Sequence, residues 1–275
     1  MVFDPGLKIG KTLDNGGLCS IFGCGTQGGM RRAIRTNSLV IISNHIDSIY
    51  DDRWVDGVLH YTGMGRKGDQ SLTFMQNRTL TESDVNDVNI FLFEVYRNKQ
   101  YTFSGKVKLA ALPFKETQPD EDGNIRVVWV FPLGVLDGVT ATPNKTIIEA
   151  IYKQKERQAN KLTNEELRLR AEHSHGQPGR RQALSTQYDR SPWVATYSKH
   201  RANGKCDLCS QSAPFIGANG QPHLENHHIV WLAEGGADTI MNTVALCPNC
   251  HRKMHFLNIA KDREYLIALN NRRAI

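Results

Sequence analysis

The sequence predicts an α+β protein: a strongly curved, barrel-like β-sheet, then a helical connector, then a small C-terminal fold stapled by zinc. Three observations carry this. Short β-branched and aromatic runs separated by turn formers fill residues 38–132, helix formers dominate residues 146–173, and two C-x2-C pairs bracket the last part of the chain. At 275 residues there is room for two domains that each bury a core.

Residues 1–36 are rich in glycine and turn signals, including Asp14-Asn15-Gly16-Gly17 and Gln27-Gly28-Gly29. Gly10-Lys11-Thr12 resembles the end of a phosphate-binding loop, but that motif needs glycine where Pro5 stands. Gln27 to Arg32 reads as a flexible turn. It suits either a minor-groove contact, with Met30 as an apolar wedge and Arg31 and Arg32 on phosphates, or a solvated basic turn. Leu39-Val40-Ile41-Ile42 reads as a buried strand and Val58-Leu59-His60-Tyr61 as another. Gly63 to Gly68 fits G-x-G-x-x-G, yet the alternating strands and helices of a dinucleotide fold are missing after it. One or two short helices are expected near residues 70–86, then strands over Ile90–Tyr96, Tyr101–Leu109 and Ile125–Pro132, with Asp120-Glu121-Asp122-Gly123 as a turn.

Thr146 to about His173 reads as one or two helices interrupted near Asn160–Asn164, and Gly176-Gln177-Pro178-Gly179 as a linker. Arg190-Ser191-Pro192-Trp193 starts a further short helix, proline being suited to a first turn.

The net charge of +6 and pI near 9.0 favour a polyanionic partner. From Lys145 to Lys205 there are 13 Lys/Arg against 6 Asp/Glu, a surplus that suits either phosphate contacts or a solvated helix face. No apolar leader follows Met1 and no apolar run approaches the roughly 18 residues of a membrane span. Few cysteines, mostly in metal-type spacing, suit a reducing cytoplasm, with Cys19 and Cys24 read as free thiols.

Cys206-Asp207-Leu208-Cys209 and Cys247-Pro248-Asn249-Cys250 have the spacing of a tetrahedral structural zinc site. Between and beyond them stand Glu225-Asn226-His227-His228, Asn242, His251 and His255. His251 and His255, four apart on a helix, share one face and can hold one ion. Adjacent His227 and His228 cannot both point the same way, so one can bind metal while the other moves a proton. These residues, with Gly235-Gly236-Ala237-Asp238, resemble the HNH (ββα-metal) nucleases of the McrA type over roughly residues 186–275. The resemblance implies His228 as general base and Asn242 as its orienting partner. His227, His251 and His255 would hold a divalent ion (Mg2+, Mn2+, Ni2+ or Co2+), with Glu225 supporting a ligand. Many relatives have aspartate where His227 stands, and the all-histidine set is softer, favouring the transition metals.

In the first half, Tyr50-Asp51-Asp52, Gly57, Tyr61-Thr62-Gly63-Met64-Gly65, Asp69-Gln70 and Asn77 resemble the SRA (YDG) domain. More closely, they are similar to the SRA-like domains upstream of HNH nucleases in ScoMcrA-type enzymes. The resemblance implies a PUA-like curved barrel that flips 5-methylcytosine out of duplex DNA. Tyr50 and Tyr61 would sandwich the base, Asp52 would read its edge, and Thr62 would line the pocket. The Tyr50–Tyr61 spacing is one residue shorter than in the eukaryotic readers, which leaves Asp51 and Asp52 interchangeable in register, with Asp52 preferred.

The expectation is therefore a modification-dependent (type IV) restriction endonuclease: an SRA-like reader over 1–137, a connector and dimerisation segment over 138–185, and an HNH nuclease over 186–275. Its partner is double-stranded DNA with 5-methylcytosine or 5-hydroxymethylcytosine, with no membrane. With one HNH site per chain, cutting both strands requires a homodimer or two successive nicks, and the homodimer is the expected form. The rivals are an HNH nuclease reading glucosylated or unmodified DNA, and a non-cleaving reader.

Overall fold

The computed structural model describes residues 3–46, 48–136, 138, 140–172, 180 and 182–273. The chain forms two compact units that meet in sequence at Ser185 and Thr186. The expected linker at residues 176–179 and the expected boundary at residue 137 lie outside the described residues.

The first unit runs β1 (Thr12–Leu13), α1 (Asn15–Phe22), β2 (Met30–Ala33), β3 (Ser38–Asn44), β4 (Arg53–Val55), β5 (Val58–Thr62), α2 (Met75–Thr81), β6 (Asn89–Arg97), β7 (Gln100–Leu109), β8 (Phe114–Pro119), β9 (Ile125–Val135), α3 (Lys145–Ala159) and α4 (Asn164–Glu172). Its mixed sheet has the order β2-β3-β6-β7-β9-β5-β4, with β1 on β7 and β8 on β9. Only β3 and β6 pair in parallel among the described strands. Residues 38–43 of β3 are all buried because both faces of the sheet are covered, which is why the run reads as continuously apolar. Leu39 and Ile41 join Leu59, Leu92, Phe131 and Leu133 on one side. Val40 and Ile42 join Leu18, Phe22, Phe91 and Phe93 on the other. The β6–β7 register shifts between Leu92 and Phe93, beside Gly105 at φ 107, and such a bulge bends the sheet.

The glycine-rich start is more ordered than turns alone. In α1 the Asp14 carboxylate accepts from Gly17 N at 2.7 Å, and Gly23 closes the helix at φ 72. β8 adds to the expected strands; it forms a hairpin with β9 across the expected turn at Asp120–Gly123. The minor-groove expectation for Met30, Arg31 and Arg32 is corrected. Met30 is 3% exposed and packs in the core, so it offers no wedge. Arg31 is buried on β2, its guanidinium held by Asn15 Oδ1 at 2.7 Å and Gly28 O at 3.0 Å. Arg32 donates to Ser38 O and Asn37 Oδ1 along the same sheet edge.

The expected helix break appears between α3 and α4, and neither helix buries a residue. No helix among the described residues is long and apolar enough to cross a membrane.

The second unit runs α5 (Pro192–Ala202), β10 (Glu225–His228), β11 (Thr243–Leu246), α6 (Pro248–Leu257) and α7 (Ala260–Arg273). β10 and β11 pair antiparallel with His227 opposite Val244 and His228 opposite Thr243. Leu224, Ile229, residues 244–246, Met254 and Leu266 fill its core.

Candidate functional site

In the second unit the cysteine pairs converge. Cys206, Cys209, Cys247 and Cys250 place their sulfurs within 4.8 Å of one another, and none forms a disulfide. Zinc–sulfur bonds of about 2.3 Å set tetrahedral sulfurs about 3.8 Å apart. Cys209 and Cys247 lie at 3.9 Å, so the donor set fits zinc. Asp207 ties the first pair to the sheet: its carboxylate accepts from Ala245 N at 2.9 Å and from Arg273 at 2.6 Å. The second pair sits on the first turn of α6, with Pro248 at the helix start.

His227, His251 and His255 form a second cluster, their ring nitrogens within 4.8 Å of one another. The side chain of His227 is buried, and neither ring nitrogen has a hydrogen-bond partner. Burial, reinforced by His255 and His251, pushes its pKa down to about 3, so it stays a neutral donor. His251 and His255, one turn apart on α6, bring their Nε2 atoms to 3.1 Å. Glu225 Oε2 lies 2.5 Å from His251 Nδ1, which fixes that ring and directs Nε2 to the cluster. An orphaned buried imidazole facing two others is a donor set that fits a divalent cation.

β10 points His228 away from the cluster. Its Nε2 lies 2.8 Å from Asp238 Oδ1, and Asp238 Oδ2 accepts from Ser191 N at 2.5 Å. These two bonds, His228 first, hold the Asp238 carboxyl below its ordinary value. Among the described residues no hydrogen bond joins the Asn242 side chain to the His228 ring. Asn242 Oδ1 accepts from Val230 N at 2.9 Å, and its Nδ2 donates to Val230 O at 2.9 Å and Ala237 O at 2.8 Å. It therefore clamps the backbone on either side of the loop that carries Asp238. Gly236 is required there, since a Cβ would meet Val230 O at 2.0 Å.

In the first unit Tyr50, Asp52 and Tyr61 line one cavity of about 440 Å³, together with Arg31, Arg66, Lys99 and Tyr101. Tyr50 donates to Gly65 O at 3.2 Å with the Arg126 guanidinium over its ring. Tyr61 is buried, and Gly28-Gly29 crosses it so closely that a Cβ on Gly29 would meet its hydroxyl at 2.6 Å. Asp52 accepts from Ser43 Oγ and from Thr62 N, each at 2.9 Å. Burial outweighs those bonds and raises its pKa to about 7. Asp51 is exposed and lies 3.8 Å from Arg53, so it is Asp52 that faces the cavity. Thr62 lines a neighbouring cavity of about 340 Å³ instead; its amide holds Asp52 and its hydroxyl contacts Gln118.

Sequence reasoning misses Ser43, Tyr101 and Gln118, which no motif marks. Asp238 stands inside a quoted motif, and its distance in sequence from His228 is the available signal.

Residues 10–156 match the family described as ScoMcrA-like, SRA domain, and residues 206–256 match the HNH endonuclease family. Over 87 residues the chain is 42% identical to the type IV methyl-directed restriction enzyme EcoKMcrA of Escherichia coli strain K12, covering 32% of this chain and 31% of that enzyme. The match thus spans about a third of that relative's length. The structure of the type IV phosphorothioation-dependent restriction endonuclease ScoMcrA aligns with 97% of this chain and 63% of its own, at 20% identity and TM-score 0.41. The modification-dependent TagI restriction endonuclease aligns with 92% of this chain and 79% of its own, at 19% identity and TM-score 0.37.

Proposed function

Because the chain belongs to the ScoMcrA-like SRA domain family and carries an HNH endonuclease domain, we propose that it is a type IV restriction endonuclease cutting duplex DNA at or near a modified cytosine. The observation that carries the cutting half is the histidine cluster beside His228, on the β10–β11–α6 unit that the four cysteines staple. His227, His251 and His255 would hold a divalent cation, which would supply charge neutralisation at the scissile phosphate and its leaving group. His228 Nδ1 takes the proton of the attacking water as its oxygen bonds to phosphorus and the bond to the 3′ oxygen breaks. Cys206, Cys209, Cys247 and Cys250 hold structural zinc, as their spacing and sulfur separation support. The softness of three imidazoles favours Mn2+, Ni2+ or Co2+ at the second centre.

The reading half is supported by the cavity around Tyr50, Asp52 and Tyr61, where a base swung out of the duplex meets aromatic faces and a carboxylate. A carboxylate accepts from the cytosine 4-amino group and finds no donor on thymine at that position. Cutting both strands calls for two HNH sites or two successive nicks, and α3 and α4, in which no residue is fully buried, are the surface proposed for a homodimer.

The test is to digest one plasmid in unmodified, 5-methylcytosine, 5-hydroxymethylcytosine and phosphorothioated forms with Mn2+ present, against the His228→Ala variant. Cutting restricted to the cytosine-modified forms and absent from the variant is expected. Equal cutting of all four forms would remove the cytosine reader, and equal cutting by the variant would remove His228 as the base.

A further inference from the structure

His228 has one ring nitrogen against a carboxylate. Asp238 Oδ1 lies 2.8 Å from Nε2, and among the described residues no hydrogen bond engages Nδ1. A carboxylate that already receives the Ser191 N–H on its other oxygen is an acceptor on both sides, so Nε2 must carry the hydrogen. In a neutral imidazole that leaves Nδ1 with the lone pair.

Asp238 is itself fixed from two directions. Ser191 is the N-cap of α5, its hydroxyl accepting from Val194 N at 3.4 Å while its own amide donates to Asp238. On the other side Asn242 Nδ2 holds the carbonyl of Ala237, the residue before Asp238, at 2.8 Å. The carboxylate therefore belongs to a frame built from α5, the 235–242 loop and β10.

We propose that Asp238 is a positioning residue: it locks His228 in the Nε2–H tautomer and so selects Nδ1 as the atom that receives the proton from water. The role rests on the reading of His228 as general base. It also accounts for Asn242, which through Ala237 places the carboxylate that sets the tautomer and need not touch the imidazole. A purely packing role for Asp238 would leave the tautomer of His228 free to exchange.

The experiment uses the full zinc-loaded chain with its histidines labelled with nitrogen-15. The His228→Ala difference spectrum assigns the His228 ring, whose nitrogen shifts report the tautomer. The expected wild-type state is Nε2–H, lost or mixed in Asp238→Ala. Single-turnover cleavage of the 5-methylcytosine plasmid should fall about 100-fold in that variant with DNA affinity unchanged, the scale of a general-base contribution. Thermal melting and bound zinc check that the variant folds. If Asp238→Ala loses its zinc, Asp238→Asn carries the test, since it keeps the size but cannot serve Ser191 and Nε2–H with two oxygens. An Nδ1–H wild-type tautomer overturns the proposal. So does a tautomer unmoved by either substitution, or a loss of cleavage matched by an equal loss of DNA affinity. Wild-type cutting by His228→Ala would instead refute the base assignment, so the two failures are distinguishable.

Discussion

Asp52 is a carboxyl held in place against its own preference, and its replacement by asparagine gives a signed, quantitative expectation. The folded chain keeps the Asp52 proton up to about pH 7, whereas the unfolded chain releases it near the ordinary value of 3.8. Between those values the folded state binds more protons, so stability falls as pH rises through the window. From about pH 5 to about pH 8 the wild type should lose roughly 2–3 kcal/mol through this one group, since each tenfold difference in proton affinity between the folded and unfolded chains is worth about 1.4 kcal/mol. Asparagine does not titrate and is nearly isosteric. Its Oδ1 can accept from Thr62 N while its Nδ2 donates to Ser43 Oγ, so both local bonds survive in altered polarity. Asp52→Asn should therefore gain on the wild type by roughly 2–3 kcal/mol on going from the lower pH to the higher one. Urea unfolding of both proteins at the two pH values measures this, because every other titrating group cancels in the difference. A constant difference at both pH values would refute burial as the dominant influence on Asp52. A stabilised variant that also loses its preference for modified cytosine would mark the carboxylate as retained for recognition at a cost in stability.

Cys206→Ser or Cys250→Ser should unfold the second unit and release zinc, metal binding being worth on the order of 10 kcal/mol in small metal-dependent folds, while His228→Ala should melt like the wild type. Equal collapse of all three in thermal melts would refute the separation of the two centres. Gly236→Ala forces a Cβ against Val230 O and close to Asn242 Nδ2, so it should slow cleavage with zinc retained and DNA affinity intact. Unchanged single-turnover rates would show the loop clamp to be dispensable. Tyr61→Ala should weaken binding to a 5-methylcytosine duplex by about ten-fold relative to a cytosine duplex, since stacking on an aromatic ring is worth roughly 1–3 kcal/mol. Gel shifts showing equal loss on both duplexes would make Tyr61 structural only.

What is legible in the sequence follows from how local each constraint is. The second unit writes its chemistry in short spacings: C-x2-C fixes a knuckle and a four-residue step places His251 and His255 on one helix face, so the positions alone bring the donors together. The same logic makes β3 readable, because a strand covered on both faces cannot alternate. Met30, Arg31 and Arg32 mislead because glycine and arginine content suggests a solvent turn, while burial is decided by non-local pairing, here Met30 with Ile41 across β2 and β3. Gly28-Gly29 is glycine-rich for a tertiary reason, the passage over Tyr61, which no local rule reveals. Gln118 on β8 reaches Thr62 on β5, 56 residues away in sequence, and Ser43 on β3 reaches Asp52 just before β4, contacts set by how the strands pair. The cavity around Asp52 is thus assembled from several strands, while the histidine cluster is drawn from β10 and α6 alone. Substitutions at either should differ accordingly: those around Asp52 propagate through the sheet that shapes the cavity, and those around His228 stay within one loop and one helix N-cap.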